Sequence, residues 1–135
     1  HQIDKPINLL ENPKTLFVSS FILGNNILKI TKEENSYVSC LGKINTSDLL
    51  ANKNFEFLSI SPKSISINKS INGNAVVISK EFLGEYFIYK VSINGENLRV
   101  RTNLNNLLNI GDKCTLTKNK DNHVYLYPGG QKIYI

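Results

Sequence analysis

Apolar and polar residues fall into short runs along most of the chain, and their period changes near residue 25. Before that point the pattern is helical. Pro6-Ile7-Asn8-Leu9-Leu10-Glu11 predicts a short helix with proline at its first position. Asn12-Pro13 repeats the signal, a cap followed by proline. Leu16, Phe17, Ser20, Phe21 and Gly24 then recur at helical spacing, and Gly24 is a natural stop. A second short helix is predicted there, its Leu16/Phe17/Phe21 stripe covered by the rest of the chain or by another copy.

After residue 25 the period falls to two. Residues 26–30 and 37–41 flank a polar turn at 32–35. Phe55–Ile60 and 64–67 flank Pro62, with Ile65 and Ile67 alternating against Ser64 and Ser66. Residues 75–78 are apolar and largely β-branched. Phe87, Tyr89, Val91 and Ile93 alternate with Ile88, Lys90 and Ser92, and Asn94-Gly95 follows as a two-residue hairpin turn. On the returning strand Leu98 and Val100 face one way, Arg99 and Arg101 the other. Residues 104–108 read as a short helical or irregular link. Lys113–Lys118 sets Cys114 and Leu116 against Lys113, Thr115 and Thr117, and 123–127 closes before Pro128-Gly129-Gly130. The fold class expected is mainly β: an OB-like small barrel or sandwich of about eight short strands, preceded by two short helices. The boundaries are 1–24 for the helical end of a preceding domain and 25–135 for the β domain. With no strand–helix–strand rhythm, a parallel dinucleotide-binding sheet is not expected.

Composition adds bounds. At 135 residues, 41% hydrophobic and 20% charged, the chain is in the globular range. The longest mostly apolar run, residues 16–23, is far short of the roughly 20 residues of a membrane-spanning helix. No leader pattern points to secretion. His1 in place of an initiating methionine reads as the start of an excised piece. The net charge of +5 would suit an anionic partner, but Arg99 and Arg101 are the sole arginines and no polybasic block occurs, so solvated lysines account for it. Cys40 and Cys114 are expected to be free thiols, and neither pairs by spacing with His1 or His123 in a metal site.

The chain carries neither glycine-rich phosphate loop and no Gly-x-Ser-x-Gly elbow. Glu81 and Glu85 flank Phe82-Leu83-Gly84 and are expected at a strand bend facing water, not in acid–base work. The chain is read as non-catalytic, with no cofactor or metal of its own.

Two stretches carry a resemblance. Residues 2–26 contain Gln2, Pro6, Leu9, Pro13, Phe17, Val18, Phe21 and Asn26 in the order in which importer-type ABC transporter ATPases close their nucleotide-binding domain, as Gln-x-Gly-Thr-Pro-x-Glu-Leu-Tyr-x-x-Pro, Phe-Val-Ala-x-Phe-Ile-Gly and an Asn. Asp4-Lys5 stands for Gly-Thr, Leu10 for Tyr, and Ile22-Leu23-Gly24 is one residue longer. Downstream, Phe82-Leu83-Gly84, the Tyr86–Ile93 stretch, Asn94-Gly95, Leu98 to Arg101, Gly111-Asp112-Lys113-Cys114-Thr115-Leu116 and Val124 to Pro128 are similar to the transport-associated OB (TOBE) domain that follows in those ATPases. Leu58-Ser59-Ile60-Ser61-Pro62-Lys63 stands where the family has Leu-Gly-x-Arg-Pro-Glu, and only Pro62 of the Arg-Pro-Glu core is kept.

The resemblance implies a regulatory domain whose parent hydrolyses ATP with Mg in an N-terminal domain, as a homodimer on the cytoplasmic face of a transmembrane permease, without inserting into the membrane. It implies ferric iron as the first choice of cargo, with polyamine, sulfate or molybdate, and sugar as alternatives. The missing Arg-Pro-Glu core points away from sugar-type regulation. Candidate regulatory or interaction residues are Pro62, Glu81, Gly84, Glu85, Tyr86, Tyr89, Arg99 and Arg101. Glu81, Glu85, Tyr86 and His123 have donor types suited to a hard cation, though no spacing joins them. Nucleic acid is not an expected partner of the importer domain. It belongs to the alternative reading, an OB-like single-strand-binding module with Arg99 and Arg101 beside Tyr86, Phe87 and Tyr89. A bare adaptor barrel is the third.

Overall fold

The computed structural model describes residues 7–9, 24–34, 36–45, 54–119 and 124–128. The described residues are mainly β. The strands are β1 (Ile7–Leu9), β2 (Asn26–Lys29), β3 (Thr31–Glu33), β4 (Ser36–Ser39), β5 (Gly42–Asn45), β6 (Phe55–Ile60), β7 (Ile65–Lys69), β8 (Ala75–Phe82), β9 (Phe87–Ile93), β10 (Glu96–Thr102), β11 (Lys113–Lys118) and β12 (Val124–Pro128), with a 3-10 turn at Pro62–Ser64. They form sheets ordered β1-β12-β6-β2, β10-β9-β8-β11-β7 and β3-β4-β5. No helix among the described residues is long and apolar enough to cross a membrane.

Three expectations are corrected. Residues 7–9, expected in the first short helix, form β1, paired parallel with β12 through Ile7↔Val124 and Leu9↔Leu126. Three residues carry too little helical preference to resist a partner strand that takes up their backbone groups, and Pro6 suits a strand start as well as a helix start. The second predicted helix and its Leu16/Phe17/Phe21 stripe lie outside the described residues. The polar turn expected at 32–35 is largely strand: β3 runs to Glu33 and pairs with β4, the reversal falling at Glu34 with φ of 52°. β5 was not expected at all; it adds to β4 through Tyr37↔Ile44 and Val38↔Lys43. The strand total therefore exceeds eight.

The chain divides into two compact units, His1–Ser61 with Lys120–Ile135, and Pro62–Asn119. In the first, β6 is central, flanked by β12 and β2. Leu28, Leu58, Ile60, Leu126 and Tyr127 are buried, and the buried Tyr37 hydroxyl accepts a hydrogen bond from Phe55 N at 3.2 Å. Buried Ser59 accepts one from Asn25 Nδ2 at 2.9 Å.

The second unit is a Greek key. β8, β9 and β10 form a meander and β11 returns beside β8, giving the spatial order β11-β8-β9-β10 with β7 outside β11. The sheet curls enough that its edge strands, β10 and β7, approach within 8 Å at Cα. Its concave side holds Ile65, Ile67, Ala75, Val77, Tyr89, Val91, Ile93, Leu98, Val100, Cys114 and Leu116, all buried. Apart from Ala75 and Val77, which were read only as part of an apolar run, these are residues that the period of two set on one face of their strands. Asn94 and Gly95, with φ of 49° and 82°, make the tight turn that fixes the β9–β10 register. A bulge falls at Ile78, between the Val77↔Val91 and Ser79↔Lys90 pairs.

Candidate functional site

Seven of the eight candidate residues fall on three adjacent strands and one turn of the Greek key. Glu81 is on β8, Gly84 and Glu85 are in the β8–β9 turn, Tyr86 precedes β9, Tyr89 is on β9, and Arg99 and Arg101 are on β10. The eighth, Pro62, is half-buried and opens the 3-10 turn, which packs beside β10. Gly84 has φ of 88°, a conformation that favours glycine, and the turn is closed by Leu83 N donating to Tyr86 O at 2.9 Å.

Register decides which of these meet. Counting back from Asn94-Gly95, Lys90 stands opposite Arg99, Tyr89 opposite Val100 and Ile88 opposite Arg101. On the other side of β9, Lys90 faces Ser79 and Ile88 faces Glu81. Alternation then puts Ser79, Glu81, Ile88, Lys90, Arg99 and Arg101 on the convex face. The Arg101 guanidinium lies over the Tyr86 ring, 3.8 Å from its centroid. Lys90, Arg99 and Arg101 are exposed and Tyr86 is half-buried. Ile88 is 8% exposed, in register between Glu81 and Arg101.

Tyr89 is separated from that group. It points to the concave side, is fully buried, and its hydroxyl donates to Asn106 O and accepts from Leu108 N, both at 2.9 Å. Asn106 Nδ2 also donates to Ile67 O. The 104–108 segment, read from sequence as a short helical or irregular link, is thus tied to the core from its middle. Phe87 packs between Phe82 and Tyr89 with the rings tilted to each other, at centroid separations of 5.8 and 5.7 Å, and Lys80 Nζ lies 4.6 Å from the Phe87 centroid. Phe82, Leu83, Leu104 and Leu107 are exposed.

Sequence reasoning missed Lys90, which the two-residue turn alone would have aligned with Arg99. It also missed Asn106 and Asn119. Asn119 accepts from Ser66 Oγ and donates through Nδ2 to Lys63 O at 3.3 Å, and nothing local to it signals those partners.

Among the described residues no three His, Cys, Asp or Glu side chains come together as a metal site. His123 lies outside those residues. Glu81, Glu85 and Tyr86 share one turn region without forming such a group. Neither Cys40 nor Cys114 is in a disulfide. Compared with models of protein families and with curated proteins, the chain matches none of them.

Proposed function

We propose that this chain is a non-catalytic accessory domain of the transport-associated OB type, from the C-terminal part of an importer-type ABC ATPase. One observation carries the reading: three of the stretches that stand in that family's motif order occupy corners of a single Greek key. Phe82-Leu83-Gly84 runs into the β8–β9 turn, Asn94-Gly95 is the β9–β10 turn, and Gly111-Asp112 leads into β11, with φ of 96° at Gly111. The curled five-stranded sheet supports an OB-like closure. In this reading the parent binds ATP and Mg in a preceding domain, works as a homodimer and sits peripherally on the cytoplasmic side of a permease. Ferric iron is the first choice of cargo, ahead of polyamine, sulfate or molybdate, and sugar. The convex face and the β8–β9 turn are the regulatory surface.

The gene upstream of His1 tests it. The expected result is a continuous reading frame encoding a Gly-x-x-x-x-Gly-Lys-Ser/Thr loop, and a parent that hydrolyses ATP while this chain alone neither binds nor hydrolyses it. A frame with no phosphate loop, or ATP hydrolysis by the purified chain, overturns it. Uptake of labelled ferric citrate and labelled spermidine by cells with and without the parent separates the two leading cargoes.

A further inference from the structure

Asn-Gly occurs twice in the chain, at Asn72-Gly73 and Asn94-Gly95, and both steps lie in turns of the Greek key. Glycine carries no side chain to shield the peptide nitrogen that joins it to the asparagine, so that nitrogen can reach the asparagine side-chain carbonyl. The fold treats the two steps differently. Gly73 N donates to Ser70 O at 3.0 Å, and a Cβ on Gly73 would lie 2.1 Å from the Cys114 carbonyl oxygen and 2.9 Å from its Cα. Gly73 is therefore tied on one side and backed by main chain on the other. Gly95 has nothing within 4 Å of the corresponding position. The β9–β10 ladder ends at Ile93↔Glu96, so Gly95 N stands outside it, and Asn94 and Gly95 are both exposed. Asn94 also holds φ of 49°, uncommon for a residue with a side chain.

We infer that Asn94 is a site of spontaneous modification, deamidation through a succinimide with water as the co-reactant, and that the fold shields Asn72 from the same reaction. Gly95 N gives up its proton and attacks Cγ of Asn94. The new N–Cγ bond closes the ring, the Cγ–Nδ2 bond breaks, and ammonia leaves with the proton. Water then opens the ring at either carbonyl. One opening gives aspartate; the other gives isoaspartate, whose main chain runs through Cβ and Cγ. Both add a negative charge to an exposed turn. Isoaspartate also adds a methylene to the backbone of the two-residue turn that sets the β9–β10 register, and so loosens the alignment of Arg99 with Lys90. The inference goes beyond the importer reading and does not depend on it.

The test holds the full chain at mildly alkaline pH and body temperature. Peptides are mapped by mass spectrometry over time, with aspartate and isoaspartate separated by chromatography. Asn94 is expected to convert at least about tenfold faster than Asn72, because ring closure at Asn72 must displace packed backbone. In urea that unfolds the chain the two rates converge, since the shielding belongs to the fold. The thermal midpoint of the native chain falls as isoaspartate accumulates. Asn94→Gly removes the amide and keeps a residue that the turn accepts, so its midpoint is unchanged by the same incubation. Equal rates at the two sites in the folded chain, conversion at Asn72 alone, or conversion at neither site while both react in urea would each overturn the inference. A contrast of the same size in urea would overturn the shielding of Asn72 by the fold.

Discussion

At Gly73 the backbone leaves no room for a side chain. A Cβ there would lie 2.1 Å from the carbonyl oxygen of Cys114, a backbone atom that cannot swing away. Gly73→Ala is therefore expected to cost about 1–3 kcal/mol as an overpacked contact, read as a lower urea midpoint with unchanged slope. Tyr89 is constrained by polarity. Its hydroxyl is the partner of buried Leu108 N. Tyr89→Phe keeps the packing but leaves that donor unpaired, a loss of about 1–3 kcal/mol, and amide exchange at Leu108 should accelerate more than at Val91. Burial, and secondarily the neighbouring Asp112 carboxylate, pushes the Cys114 thiol above its ordinary range. The folded chain then keeps a proton that the unfolded chain has released. The stability this contributes is complete below about pH 8.5 and declines as pH rises past it. Urea midpoints measured on either side of that pH should fall more in the native chain than in Cys114→Ala. Alkylation should reach half-buried Cys40 before Cys114.

Among the elements, the β9–β10 hairpin was the most legible. Its alternation predicted which residues face inward, and Asn94-Gly95 predicted the turn that fixes every pair from Ile93↔Glu96 to Phe87↔Thr102. Gly95→Val puts a β-branched side chain at φ of 82° and should cost about 1–2 kcal/mol or more, visible as a lower thermal midpoint; Gly95→Asn should be milder. β1 was misread because helix-start signals are local, whereas its partner β12 is near the other end of the chain. β5 was missed because a short, mostly polar segment shows no period until β4 supplies its other half. At the candidate site, the exposure of Arg99 and Arg101 followed from alternation. Their neighbourhood to Tyr86 was open to the sequence reading; that the Arg101 guanidinium, and not Arg99, lies over the Tyr86 ring was not.

For the molecule as a whole, Pro62–Asn119 is a continuous stretch flanked by the two parts of the other unit. Its ends are clasped: Asn119 N donates to Ser64 O at 2.9 Å, and Asn119 Nδ2 reaches Lys63 O. Adjacent ends and a core of its own are the marks of an inserted unit. Residues 62–119 expressed alone should give a dispersed amide spectrum and a cooperative thermal transition. Asn119→Ala should lower that transition, since it removes the clasp and leaves the core intact.

Alternation, turn chemistry and the Asn94-Gly95 step were written into the amino-acid order, because each acts over a few neighbouring residues. They determined the mainly β class, the inward and outward faces of β7, β9, β10 and β11, and the exposure of both arginines. The parallel β1–β12 pair, the Greek-key return of β11, the capture of Tyr89 by the 103–112 segment and the stacking of Arg101 on Tyr86 were decided only by tertiary structure. Each joins segments whose local preferences are weak and whose partners are set by packing at a distance.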